Sequence, residues 1–74
     1  MDIRGELYQE IKNVIGDNVT FNDDSLFKED LGIDSYKAIA LLVALDKKKI
    51  TFKQDKLPSI KTVKDLLNVL EYYG

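Results

Sequence analysis

The residues best suited to chemistry lie within Phe27-Lys28-Glu29-Asp30-Leu31-Gly32-Ile33-Asp34-Ser35. Gly32 frees the backbone at the end of a polar stretch, and an acid followed by a hydroxyl stands where a helix should begin. On residue type alone Ser35 reads as a helix N-cap, its oxygen accepting from an amide of the first turn. A second use is open to the same position. The unpaired N–H groups and positive dipole end of a helix start favour a phosphate, so a serine hydroxyl projecting there is well sited to carry a phosphodiester. Composition removes many other chemistries. The 74 residues contain no His and no Cys, which excludes a Ser-His-Asp triad, a thiol nucleophile, a disulfide and His- or thiolate-bound zinc. Intrinsic catalysis would rest on carboxylates, Lys, Tyr or Ser alone. The chain is expected not to be an enzyme.

At this length a single domain spanning residues 1–74 is expected, burying only about 60% of the surface that its unfolded chain exposes. Hydrophobic residues make up 45% and charged residues 32%, too apolar a mixture for a disordered tail. Ile3, Leu7, Ile11, Val14 and Ile15 form one stripe of a helix over residues 3–15, with Asp2 as cap and Gly16-Asp17-Asn18 as stop. Residues 16–34 lack a sustained period and read as a long ordered loop pinned by Val19, Phe21, Leu26, Phe27, Leu31 and Ile33. One short turn of helix is expected near Ser25–Lys28. A second helix should start at Asp34 or Ser35 and run to about Lys48. Its sequence is apolar almost all round, so in so small a domain some apolar surface must face outward. Residues 49–61 read as irregular, anchored by Ile50, Phe52, Leu57 and Ile60 and punctuated by Pro58, with a short helix within Gln54–Leu57. Thr62-Val63-Lys64-Asp65 fits a capping box, and Val63, Leu66, Leu67 and Leu70 continue as a last helix. The expected fold is all-α, a three- to four-helix bundle with a long first connection.

Asp30-Leu31-Gly32-Ile33-Asp34-Ser35 resembles the attachment motif of acyl carrier proteins, and the layout of the whole chain is similar to theirs. The resemblance implies a small helical bundle with Ser35, at the start of the second helix, joined to 4'-phosphopantetheine by a separate phosphopantetheinyl transferase using coenzyme A. Asp34 would be the acidic neighbour in the motif. The arm's thiol would hold acyl groups as thioesters, with acyl-loading and acyl-processing enzymes as partners. The resemblance further suggests Ile39, Leu42 and Leu45 as the inner wall of an acyl-chain pocket, and Tyr36, Lys37, Ala40, Val43 and Lys47 as the face that meets partners. Each apolar residue in those sets also fits ordinary core. With no apolar signal segment and no stretch of 18 to 20 apolar residues, a cytoplasmic, free-standing monomer away from membranes is the default.

Two departures from the family pattern stand out. Tyr36 follows the serine where carriers of this kind have Leu or Met. The second helix also has Asp46 as its one acid, followed by Lys47-Lys48-Lys49, where an acidic helix is usual. Residues 1–35 carry a charge balance of -6 and residues 36–74 one of +4, within a net charge of -2. This suggests partners with acidic or mixed-charge docking surfaces and a specialised fatty-acid-like or polyketide-like pathway. Two other readings stay open: an unmodified helical adaptor that only binds proteins, and a peptidyl or aminoacyl carrier, although such carriers usually have Gly-Gly-His-Ser where this chain has Gly32-Ile33-Asp34-Ser35. Nucleic-acid binding through Lys47–Lys49, Phe52, Lys53 and Lys56 is disfavoured by a pI near 4.9. The carboxylates of the long loop lack calcium-loop spacing.

Overall fold

The computed structural model describes residues 2–52 and 60–74. They form helix α1 (Ile3–Ile15), helix α2 (Ser35–Lys47), strand β1 (Ile50–Phe52), helix α3 (Val63–Val69) and strand β2 (Leu70–Tyr72). The three helices and long first connection agree with the expected bundle. The helix expected within Gln54–Leu57, and the anchoring roles of Leu57 and Pro58, lie outside the described residues.

The apolar stripe of α1 brings Leu7 and Ile11 fully inside, with Ile3, Val14 and Ile15 packed at the margin. Asp2 stands at the N-cap, but its carbonyl, not its side chain, takes the Glu6 amide at 3.0 Å. Leu41 and Leu45 of α2, Ile50, and Val63, Leu66 and Leu70 complete the core together with Leu31 and Ile33 from the loop. Burying these side chains is the main driving force for a domain of this size.

The long loop is ordered by identifiable contacts. Tyr8 stacks at 4.8 Å on Phe21 and donates its hydroxyl to Asp23, which also accepts from Arg4 at 3.1 Å. Farther along, the loop carbonyls of Ser25 and Asp23 accept the Val63 and Lys64 amides at 3.0 and 2.8 Å. The Asp65 amide goes to Thr62 Oγ1 at 3.1 Å, and Asp65 accepts back from the Thr62 amide, so the expected capping box is formed. The first amides of α3 are thus satisfied by the loop and the cap together.

An element that the sequence did not announce is a two-stranded antiparallel ladder. Leu70 leaves the helical conformation, and Leu70–Tyr72 pairs with Ile50–Phe52 in the register Phe52↔Leu70 and Ile50↔Tyr72. The helical spacing of Val63, Leu66 and Leu70 hid this, because Leu70 reaches the same core from either conformation.

Lys48 also corrects the reading of Lys47–Lys49 as one basic group. It turns back onto α1, where its ammonium meets Glu10 at 2.7 Å and also pairs with Glu6. That contact holds the Glu10 carboxyl below its ordinary value of 4.5. Asp23, beside the Tyr8 hydroxyl, and Asp65, beside the Lys61 and Thr62 amides, are likewise held below theirs of 3.8. Carboxylates depressed on folding stabilise the native state above their ordinary values, and that contribution is lost as pH falls through the folded values. Stability should therefore decline below about pH 4.5. Lys48→Gln should cost about 1 kcal/mol at neutral pH, and the difference from the unsubstituted chain should shrink in acid as Glu10 protonates. Urea unfolding curves across pH 3 to 7 would check this; a penalty independent of pH would contradict it.

Candidate functional site

The segment preceding α2 is built by its own hydrogen bonds. The Leu26 carbonyl accepts from the Asp30 and Leu31 amides at 2.9 and 3.1 Å, closing a single helical turn slightly later than Ser25–Lys28. Asp30 Oδ2 accepts from the Leu26 amide at 2.8 Å. The Phe27 amide donates to Lys61 at 2.9 Å and its carbonyl receives Ile33 at 2.8 Å, tying the segment to the approach to α3. Between the buried side chains of Leu31 and Ile33, Gly32 takes a φ of +64°. That left-handed conformation costs glycine little and other residues more. Both neighbours can therefore face inward while the chain turns toward α2.

The cap of α2 is Asp34, not Ser35. Asp34 Oδ1 accepts the Lys37 amide at 3.0 Å, and the Asp34 carbonyl accepts Ala38 at 2.8 Å. Ser35 is the first helical residue, exposed, and its hydroxyl takes no hydrogen bond among the described residues. The two residues divide the work that either could have done: the carboxylate satisfies the first turn, and the alcohol stays free at the positive end of the helix. Two other aliphatic hydroxyls, those of Ser25 and Thr62, are engaged. Ser25 Oγ accepts from the Asn22 amide at 3.0 Å, and Thr62 Oγ1 belongs to the capping box.

Beside Ser35 opens a cleft of about 710 Å³ between α2, the loop and α3. Its walls include Phe27, Ile33, Ala38, Leu41, Leu42 and Leu66, and its polar margin includes Lys28, Glu29 and Lys61. The three residues expected to form one inner wall separate here. Leu42 lines the cleft, and Leu45 is buried in the core, 1% exposed. Ile39 is a correction: it is 63% exposed and lies on the outer face of α2. An apolar helix with no polar stripe gives no phase from which its inward side can be read. Tyr36, Lys37, Ala40, Val43 and Lys47 are all exposed.

Residues 5–70 match the family model described as a phosphopantetheine attachment site. Among curated proteins, the acyl carrier protein of Coprothermobacter proteolyticus is 31% identical over 74 residues, covering 92% of this chain and 90% of the relative. That of a Sulfurovum species is 32% identical, covering 88% of this chain and 95% of the relative. That of Phytoplasma mali is 27% identical over 90% of this chain and 87% of the relative. No solved structure gives a significant match.

Proposed function

The chain belongs to the acyl carrier proteins with a phosphopantetheine attachment site, and from that premise we propose that Ser35 is the residue that bears the arm. As a member it is a carrier rather than an enzyme, it holds 4'-phosphopantetheine covalently, and it works with a phosphopantetheinyl transferase and acyl-processing enzymes. When attached, the group supplies the thiol on which acyl groups are held as thioesters.

The observation that carries the assignment is the division between Asp34 and Ser35. An attachment hydroxyl must be accessible, must not be needed by the fold, and should sit where a phosphodiester is electrostatically welcome. Ser35 meets these conditions because Asp34 has taken over the cap. Gly32 and the buried Leu31 and Ile33 hold the segment in place, so the helix start is presented on a fixed support.

Our reading assigns the cleft beside Ser35 to the apolar part of the cargo. Leu42, Ala38 and Leu66 offer apolar walls beside the attachment point, and Leu45 supports them from the core. Tyr36, Lys37, Ala40, Val43 and Lys47 form the side presented to partner enzymes, whose docking surfaces are acidic or mixed in charge. A specialised fatty-acid-like or polyketide-like pathway suits a second helix with a single acid, Asp46. Intact mass after incubation with coenzyme A and a broad-specificity phosphopantetheinyl transferase should rise by one phosphopantetheine per chain. An unchanged mass after prolonged incubation would instead support an unmodified adaptor.

A further inference from the structure

The mouth of the cleft beside Ser35 carries two ammonium groups for which the fold itself has no use. Residues 16–34 contain six acids and a single cation, Lys28. That cation stands at the cleft together with Glu29 and Ser35. Lys61 reaches the same lining from the segment before α3. The Phe27 amide donates to the Lys61 carbonyl at 2.9 Å, and Leu26 and Thr62 form an isolated antiparallel bridge. The loop and the approach to α3 therefore run side by side at this point. Both lysines are exposed, and neither forms an ion pair among the described residues.

The acids nearby do not account for them. Asp65 accepts the Lys61 and Thr62 amides at 3.0 and 3.1 Å. Asp34 accepts the Lys37 amide at 3.0 Å and sits at the positive end of α2. Glu29 is then the one acid of the cleft lining with no backbone amide to serve among the described residues. Two cations thus share this margin with one uncommitted carboxylate. Like charges gathered at one mouth repel, and an anion arriving there relieves the repulsion.

Resting on the reading of Ser35 as the attachment residue, we infer that Lys28 and Lys61 form an anion-binding site for the phosphodiester of the arm. Attachment adds a negative charge at a residue that lines the same cleft as both lysines. The start of α2 favours that charge whichever way the arm leaves. The lysines favour it on the cleft side alone. They are positioning residues, which bias the base of the arm toward the apolar walls of Ala38, Leu42 and Leu66. A lysine attracts phosphate as a point charge, so at an exposed site the effect is modest and sensitive to salt.

Lysine reactivity reads this site without any substitution. The unmodified chain and the chain carrying the arm are treated briefly with an amine-acetylating reagent, and each lysine is followed by peptide mass spectrometry. At low ionic strength attachment should slow acetylation of Lys28 and Lys61 about threefold, the scale that exposed ion pairs support. Lys12 and Lys47, which lie outside the cleft lining, should react as before. The protection should fade at high salt. The phosphorus NMR resonance of the phosphodiester should also move when Lys28→Gln and Lys61→Gln are introduced together, and stay in place with Lys12→Gln. Thermal melts establish that these variants are folded. Equal reactivity of Lys28 and Lys61 before and after attachment, protection indifferent to salt, or a resonance unmoved by the double substitution would each overturn the inference. Protection that appears only when the arm carries a carboxylate-ended acyl group would assign the lysines to the cargo and overturn it too. A chain that gains no mass at Ser35 with coenzyme A and the transferase would instead overturn the attachment reading, and this inference with it.

Discussion

Ser35→Ala should abolish attachment of phosphopantetheine while leaving unfolding free energy within about 0.5 kcal/mol of the unsubstituted chain. The first half follows from the chemistry: with no hydroxyl at the start of α2, no phosphodiester forms there. The second follows from the cap. Because Asp34 takes the Lys37 amide, removing the neighbouring alcohol leaves no helix donor unsatisfied. Asp34→Ala should behave oppositely in stability, costing about 1 kcal/mol for the lost cap. Intact mass and urea denaturation of the two variants separate these roles. If Ser35→Ala proved as destabilising as Asp34→Ala, the serine would be a structural cap after all.

Truncation along α2 should give a steep gradient. Leu45→Ala removes a side chain that is 1% exposed and should cost about 2 to 5 kcal/mol through lost burial and the cavity left behind. Against a total stability of about 5 to 15 kcal/mol for a typical domain, that is a large fraction of the whole. Leu42→Ala opens onto an existing cleft and should cost less, about 1 to 2 kcal/mol, since part of its surface is already wet. Ile39→Ala, on the exposed face, should fall within about 0.5 kcal/mol. Denaturant melts of the three variants order them; equal losses at Leu42 and Ile39 would contradict the placement of these side chains.

Much of this arrangement can be read from the residues in order. The spacing of Ile3, Leu7 and Ile11 identifies α1 because its apolar and polar faces are distinct. Thr62 and Asp65 mark the start of α3 because a capping box is a local device. The motif ending in Ser35 likewise needs only its immediate neighbours. What escaped depends on contacts between distant segments. Asp34 and Ser35 are equally good caps by type, and only the fold decides which one accepts the Lys37 amide. Ile39 reads as inward because nearly every residue around it is apolar. Lys48 looks like its two neighbours until Glu6, 42 residues away, comes within reach. The turn of Leu70 into a strand is set by Ile50–Phe52, a pairing that helical spacing cannot reveal.

The central claim, that this carrier presents its arm from Ser35, is tested most directly by locating the modification. The unsubstituted chain would be converted with coenzyme A and a phosphopantetheinyl transferase, digested, and fragmented by tandem mass spectrometry. The account predicts that the whole increment lies on the peptide containing Asp34-Ser35-Tyr36, with fragment ions placing it on Ser35. An increment found on Ser25, Ser59 or Thr62, or persisting in Ser35→Ala, would contradict it.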